Sequence, residues 1–270
     1  MAKTSEIPVL IVDAFTSEPF RGNPAGVVFL PKDREEKWMQ SLASELKHSE
    51  TAFLVEEGEG YHLRWFTPYR EVELCGHATL ASAHALWETK RLGKDKEARF
   101  RTRSGILTAK NQGSGIEMDF PCEAAATVAA ESIPAGLIDA LGASAQFVGK
   151  NRMDYLLELE DEGAVRELKP DFRRLSATET RGIIVTAASR STGYDFVSRF
   201  FAPAFGIDED PVTGSAHCCL APYWGGKLKK SELVGYQASA RGGTVKVIAR
   251  GDRVGLVGAA VTVFRGTVTG

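Results

Sequence analysis

The sequence predicts an α+β protein made of two similar halves, each with a helix enclosed by strands. The first observation is a repeated Arg-x-Phe-x-Pro pattern, found at Arg64, Phe66, Pro68 and again at Arg199, Phe201, Pro203. The offset is 135 positions (199 − 64), half of the 270-residue chain, and Gly76 and Gly214 continue the match after a three-residue insertion. A repeat of half the chain length indicates two related halves rather than a solenoid of short units.

The second observation is the segment after Gly76, which is predicted to form a helix over residues 77–92. The first half of this helix carries small or apolar residues on nearly every side: Ala78, Leu80, Ala81, Ala83, Ala85, Leu86. A helix that is apolar nearly all round is enclosed by other elements. The strand-like segments on either side are its natural covering.

The third observation is the closing stretch, residues 243–268, where Val and Ile alternate with Arg and Gly around a turn at 250–253. This pattern is typical of antiparallel strands. Further strands are predicted at 9–12, 26–30, 61–66, 99–110, 116–120, 155–160 and 182–187, and further helices at 33–46, 135–141 and 171–176. The Ala- and Glu-rich composition after Pro121 places a domain boundary near residues 112–115.

Composition excludes several classes of protein. Hydrophobic content of 43% and charged content of 25% are those of a soluble globular protein. A net charge of −2 without a dense Lys/Arg block argues against nucleic-acid binding. The sequence contains neither an apolar run long enough to cross a membrane nor the pattern of a signal peptide. Four irregularly spaced cysteines do not form a disulfide framework, so we expect a cytoplasmic protein.

Several stretches of the chain match one known family. They are DAFTSEPFRGNPAGVV, SETAFLV, RWFTPYREVELCGHATLASAHAL, MDFP, EDPVTGSAHCCLAPYW and QASARGGTVKV. On these motifs the sequence resembles the PhzF-like family of phenazine-biosynthesis-protein-like isomerases, which share a fold with diaminopimelate epimerase. The resemblance covers essentially the whole chain, and the GHAT and DPVTGSAH motifs are specific as an ordered pair.

The resemblance implies two similar α+β domains, each a curled, mostly antiparallel sheet wrapped around a central helix. We expect the first to span residues 1–115 and to be rejoined by about 263–270, and the second to span 116–262. By the same resemblance the active site lies in the cleft between the domains and the protein is a homodimer. No cofactor is expected.

The resemblance also implies which residues carry the chemistry. It assigns Glu50 as the general acid/base, His77 to proton handling or substrate orientation, and Asp210 and Ser215 to substrate contact. The family's reaction moves an allylic hydrogen of a dihydro-hydroxyanthranilate to another carbon. One carboxylate that takes and returns a proton suits such a step, provided that burial or a neighbouring charge raises its pKa. The alternatives are a solvated Glu50 at a strand start, a buried structural His77 and a turn-forming Asp210.

The two predicted helix starts offer a binding site for an anion. His77 and Ser215 each follow the glycine that opens a helix, Gly76 or Gly214. Helix N-termini present free N–H groups and a positive partial charge, which hold a carboxylate or stabilise an enolate-like anion. A side chain in place of either glycine would crowd the approaching substrate.

Cys75 raises the question of a thiol mechanism or a metal site. Diaminopimelate epimerase uses two cysteines, but Thr213 occupies the second position here, and a hydroxyl of high pKa cannot replace a thiol base. Cys75 is therefore expected to be a buried small residue. A metal is not expected, because His77 and His84 lack a third ligand at a matching position on the helix, and His217, Cys218 and Cys219 are adjacent.

The sequence thus predicts a cofactor-independent isomerase that acts on a small carboxylated metabolite. Its predicted catalytic residues are Glu50, His77 and Asp210, and its predicted substrate-binding residues are Gly76, Gly214, Ser215. Two alternatives stay open at this point. One is an amino-acid epimerase or racemase that uses a carboxylate, and the other is a non-catalytic metabolite-binding or adaptor protein.

Overall fold

The computed structural model describes residues 6–113 and 115–269. The chain forms two compact units, one of Met1–Asp119 with Val257–Gly270 and the other of Phe120–Leu256. Both boundaries between the units fall inside strands, a few residues from those predicted from composition near 115 and from the family resemblance near 263.

The first unit contains two helices and a mainly antiparallel sheet, whose last strand crosses the boundary between the units. Its elements are β1 (Glu6–Ala14), β2 (Asn23–Leu30), α1 (Glu36–Leu46), β3 (Glu50–Glu57), β4 (Gly60–Phe66), β5 (Glu71–Val72), α2 (Gly76–Glu88), β6 (Ala98–Thr102), β7 (Gly105–Asn111) and β8 (Ile116–Pro121). The strand order runs from β1 through β2, β3, β4, β6 and β7 to β8. Two neighbouring pairs are parallel, β2 with β3 and β4 with β6. Since a parallel pair needs a crossover connection, α1 bridges the first pair and α2 the second.

Helix α2 is enclosed, as the sequence predicts. Nearly every residue between His77 and Trp87 is buried, and the helix packs against β1, β2, β3 and β7. Contact with both the β1 end and the β7 end of one sheet means that the sheet curls around the helix. Helix α1 lies on the opposite face, where Met39 and Ala43 pack with Phe53 and Phe66. The strands between the two helices are therefore apolar on both faces.

The second unit repeats this plan. Its elements are β9 (Ala126–Thr127), a 3₁₀ turn (Ala130–Ser132), α3 (Leu137–Leu141), β10 (Phe147–Lys150), β11 (Asp154–Glu158), α4 (Glu162–Glu167), α5 (Phe172–Leu175), β12 (Gly182–Ala188), β13 (Phe196–Phe201), a 3₁₀ turn (Pro203–Phe205), α6 (Gly214–Leu228), β14 (Glu232–Gln237), β15 (Gly243–Arg250) and β16 (Arg253–Gly258). The last strand, β17 (Ala260–Thr269), returns to the first unit and pairs with β1.

The pairing pattern is the same in both units. From β10 through β11, β12, β13 and β14 to β15, the pairs are antiparallel, parallel, antiparallel, parallel and antiparallel. The pairs from β1 to β7 follow the identical sequence. Helix α6 takes the place of α2, packing on β14 and β15, while Trp224 stacks on Phe196 with ring centroids 6.0 Å apart. The duplication predicted from sequence is thus present strand by strand.

An arginine–glutamate pair recurs in the same place in each unit. In the first, Arg64 of β4 donates two hydrogen bonds to Glu71, from Nε (2.7 Å) and Nη2 (2.6 Å). In the second, Arg199 of β13 donates to Glu209 in the same way, at 2.7 and 2.9 Å. Each glutamate lies five positions before the glycine that opens the enclosed helix. These two pairs, called the Arg–Glu clamps below, tie a strand to the segment that leads into each helix.

The predicted single strand at 99–110 is wrong. The segment is a hairpin of β6 and β7, in which Thr102 pairs with Gly105. Gly105 has φ +96°, a left-handed conformation that glycine adopts without strain, and this tightens the turn. None of the described helices is long and apolar enough to cross a membrane.

Candidate active site

Three segments distant in sequence meet at one edge of the first unit's sheet. In the parallel pair of β2 and β3, Ala25 lies opposite Glu50, so both strands begin at the same edge. Asn23, the first residue of β2, therefore lies near Glu50, the first residue of β3. Helix α2 begins there too, with His77 as its second residue. The crossover topology, rather than any local motif, brings these side chains together.

Glu50 and His77 form a direct polar contact. His77 Nε2 lies 3.2 Å from Glu50 Oε2, and their side chains are 6% and 15% exposed. The carboxylate is therefore sheltered but still reached by solvent, as a group that exchanges protons with a small substrate must be. Both residues lie beside the first turn of α2, whose N–H groups have no partners within the helix.

Asn23 determines which nitrogen of His77 carries the proton. Its Nδ2 lies 3.2 Å from His77 Nδ1, and its Oδ1 accepts a hydrogen bond from Ser49 Oγ at 3.3 Å. An amide nitrogen can only donate, so Nδ1 accepts and the proton of the neutral ring lies on Nε2. His77 therefore donates to the Glu50 carboxylate. Sequence reasoning missed Asn23, because it placed this residue in a loop before the strand.

The environment keeps His77 uncharged. Burial of the ring and, second, the charge of His48 lower the pKa of His77 from 6.5 to about 3. A neutral donor stabilises an ionised carboxylate without adding a competing acid. This arrangement suits Glu50 to accept a proton and later return it.

Cys75 is buried, as predicted, but it also touches the site. It precedes the first residue of α2 in an extended conformation, and its Sγ lies 3.5 Å from Nδ1 and 4.0 Å from Nε2 of His77. Thr213 holds the same position before α6. His84, by contrast, contacts Thr262 Oγ1 at 3.2 Å and lies 3.8 Å from Glu88 on the same helix.

In the second unit the predicted residues gather at the start of α6. Asp210 accepts a hydrogen bond from the Thr213 hydroxyl. The buried Gln237 accepts from the backbone N–H of Thr213 at 2.9 Å and donates to Asp210 O at 2.8 Å. This network fixes the segment that leads into Gly214. Gln237 was not among the sequence-predicted residues.

Ser215 accepts a hydrogen bond from an arginine that sequence reasoning did not identify. Arg181 Nη2 donates to Ser215 Oγ at 2.9 Å, and the same guanidinium makes two hydrogen bonds to the fully buried Asp154. Asp154 thus holds Arg181 at the start of α6 and balances its charge, so the guanidinium serves there as a fixed hydrogen-bond donor. The arginine and the aspartate flank different strands, and only the parallel pairing of β11 with β12 brings them together.

Comparison with known proteins establishes the family. The profile of phenazine biosynthesis-like proteins matches residues 12–266. The chain is 55% identical to an uncharacterized isomerase of Halalkalibacterium halodurans, over 96% of this chain and 97% of that protein. The chain therefore belongs to the phenazine biosynthesis-like family, and it is an isomerase of the PhzF-like type.

Solved structures agree with this assignment. A PhzF family protein of Enterococcus faecalis is 41% identical and superimposes with a TM-score of 0.92, covering 98% of this chain and 99% of that one. A hydroxyproline epimerase of Agrobacterium vitis shares the fold with a TM-score of 0.62 at 11% identity, covering 99% of this chain and 94% of that one. The predicted fold class, related to that of amino-acid epimerases, is confirmed.

The geometry around His77 makes a direct prediction for Asn23→Ala. Losing the amide donor frees His77 Nδ1, so the proton is no longer confined to Nε2 and the ring no longer points steadily at Glu50. We expect kcat to fall about 10- to 100-fold with KM little changed, as for a misplaced catalytic group. Nitrogen-15 NMR of the imidazole should show the neutral Nε2–H tautomer in the wild type and a mixture in the variant.

The control is Asn111→Ala, which removes an exposed asparagine at the end of β7 in the same unit. It should leave both kcat and the His77 spectrum unchanged. A wild-type Nδ1–H tautomer, or an Asn23→Ala variant with the wild-type spectrum and rate, would contradict the assigned role.

Proposed function

We propose that this protein is a cofactor-independent isomerase in which Glu50 moves a proton between two carbons of a small carboxylated substrate. The observation that carries the proposal is the Glu50–His77 contact, with His77 neutral and oriented by Asn23. The Glu50 carboxylate takes a proton from one carbon, and the electron pair of that C–H bond moves into the substrate's unsaturated system. The protonated Glu50 then returns the proton to another carbon.

This step is balanced without an external reagent. No electrons leave the substrate, and the proton that Glu50 accepts exchanges with water, which reaches the 15% exposed side chain, before a proton returns to carbon. The anion that forms between the two transfers is stabilised by N–H groups at a helix start. His77 keeps its Nε2 proton throughout and holds the carboxylate in position. The proposal therefore requires only the residues already described.

We infer that the start of α6 contributes to substrate binding through Asp210, Gly214 and Ser215. In support, Arg181 places a guanidinium donor next to Ser215 and is itself 32% exposed at the side chain. A carboxylated substrate is the ligand that such a pairing of guanidinium and helix start favours. The homodimer stays a prediction that sedimentation of the purified protein can test.

The test uses enzyme freed of metals and small molecules by dialysis against a chelator. The protein is incubated in heavy water with a dihydro-hydroxyanthranilate, other unsaturated carboxylic acids and free amino acids. We expect an isomerised product that carries one deuterium on carbon, formed without any added cofactor. Loss of the α-proton of an amino acid would instead identify an epimerase.

The same panel separates an enzyme from a binding protein. A ligand that binds only the native state raises the melting temperature whether or not it is converted. Stabilisation by a metabolite without any isotope uptake or change of mass would contradict the isomerase proposal and favour the binding protein.

A further inference from the structure

Three ligands of different chemistry converge beside the start of α2. The Glu50 carboxylate, the Cys75 thiol and the His77 imidazole each place one ligating atom within 4.8 Å of the other two. Cys75 and His77 are buried, whereas Glu50 keeps some contact with solvent. Carboxylate, thiolate and imidazole are the side chains that bind zinc in proteins. The helix-based reasoning from sequence missed this set, because two of the ligands lie outside the helix.

The ligand distances admit a single tetrahedral ion once the Cys75 thiol moves. Zinc bonds of about 2.0 Å to nitrogen or oxygen and about 2.3 Å to sulfur imply ligand separations of about 3.3 to 3.5 Å. His77 Nε2 lies 3.2 Å from Glu50 Oε2, which already matches. The same nitrogen lies 4.0 Å from Cys75 Sγ, which is closer to Nδ1 at 3.5 Å. The thiol must therefore move towards the Nε2 side of the ring to bind the same ion.

Asn23 suits the metal-bound state as well as the metal-free one. When His77 binds a cation through Nε2, its proton moves to Nδ1 and needs an acceptor. Asn23 Nδ2 now lies 3.2 Å from His77 Nδ1. Rotation of the Asn23 amide exchanges the positions of Nδ2 and Oδ1, so that Oδ1 can accept the proton of His77 Nδ1. Ser49, the other partner of this amide, has a hydroxyl that accepts as readily as it donates. Asn23 and Ser49 can therefore hold the His77 ring in either state.

We propose that thiophilic divalent cations, zinc above all, bind to Glu50, Cys75 and His77 and inhibit the enzyme. Binding releases the Cys75 thiol proton to water and involves no change of oxidation state. Three protein ligands leave a fourth position for water. A cation held there occupies the Glu50 oxygen that would accept the substrate proton. The inhibition rests on the proposed function, whereas the binding does not.

Binding is tested with Co²⁺, which reports its ligands by absorption. Chelator-treated wild-type protein should take up one equivalent of Co²⁺ and show a sulfur-to-cobalt charge-transfer band. Cys75→Ser should lose the band and bind at least about 100-fold more weakly, since loss of an outer-shell partner alone costs 10- to 100-fold. Glu50→Gln, which keeps the thiol, should retain the band but bind more weakly. Cys122→Ser is the control, because Cys122 is partly exposed and lies in the second unit.

Inhibition is tested with Zn²⁺ on whichever substrate the enzyme turns over. Wild-type turnover should fall as one equivalent binds and recover on adding EDTA, while Cys75→Ser should be less sensitive relative to its own metal-free rate. Absence of a cobalt band in the wild type, or a band lost in Cys122→Ser but kept in Cys75→Ser, would overturn the site. Cobalt binding without any effect of zinc on turnover would overturn the inhibition alone. If no substrate is turned over, the cobalt measurement still decides the site.

Discussion

Glu50→Gln is expected to lower kcat by about 100- to 10,000-fold while KM stays close to the wild-type value. Glutamine keeps the shape of the side chain but cannot accept or return a proton. It can still accept the hydrogen bond from His77 Nε2, so the start of β3 should be undisturbed. The measurement is steady-state turnover of the substrate found by the isotope screen, with the melting temperature as a check on folding.

The matched control is Glu56→Gln on the same strand, which is exposed and lies six positions further along. It makes the same chemical change outside the site and should leave kcat at the wild-type level. Turnover by Glu50→Gln comparable with that of Glu56→Gln would remove Glu50 from the proton transfer.

Loss of the first Arg–Glu clamp should destabilise the protein strongly. The Glu71 side chain is only 4% exposed and is bound by Arg64 and also by Arg103. We expect Glu71→Gln to lower the free energy of unfolding by about 2 to 4 kcal/mol, because the buried carboxylate between two guanidinium groups is lost and, among the described residues, only the exposed Glu36 is left to pair with them. Denaturant unfolding measures the change. Because the clamp braces the segment that leads to Cys75 and His77, kcat should fall as well.

The clamp of the second unit provides an internal comparison. The Glu209 side chain is 19% exposed and binds Arg199, so Glu209→Gln should destabilise in the same direction but by less. The control is Glu57→Gln, which breaks a pair with Arg101 whose side chains are both about half exposed. An exposed pair contributes little to stability. If Glu71→Gln were no more harmful than Glu57→Gln, the clamps would have no bracing role.

The duplication is visible in the sequence because the residues of the two equivalent strands align without a gap. Arg64 and Arg199 lie on equivalent strands, and each guanidinium lies over the ring of the phenylalanine two positions on, at 5.1 and 5.0 Å. The glutamates of the clamps escaped notice because the three-residue insertion lies between them and the arginines. Only the offset of 138 (209 − 71), shared with the two glycines, could have paired Glu71 with Glu209.

The candidate site was predicted less completely than the fold. Family resemblance placed Glu50 and His77, and the structure brings them into contact. Asn23 could not be recognised, because its role depends on a parallel register that joins the starts of β2 and β3. Arg181 was hidden for the same reason, since its contact with Ser215 spans 34 positions of the chain. Contacts made by crossover connections leave no periodic pattern in a single sequence.

The most direct test of the central claim is hydrogen exchange at the reacting carbon of the substrate. In heavy water, wild-type protein and Glu56→Gln should exchange the hydrogen on that carbon for deuterium, even before product accumulates. Glu50→Gln should show no exchange above the enzyme-free background, because the group that removes the proton is gone. Exchange by Glu50→Gln at the wild-type rate would contradict the account, since another base would then be removing the proton.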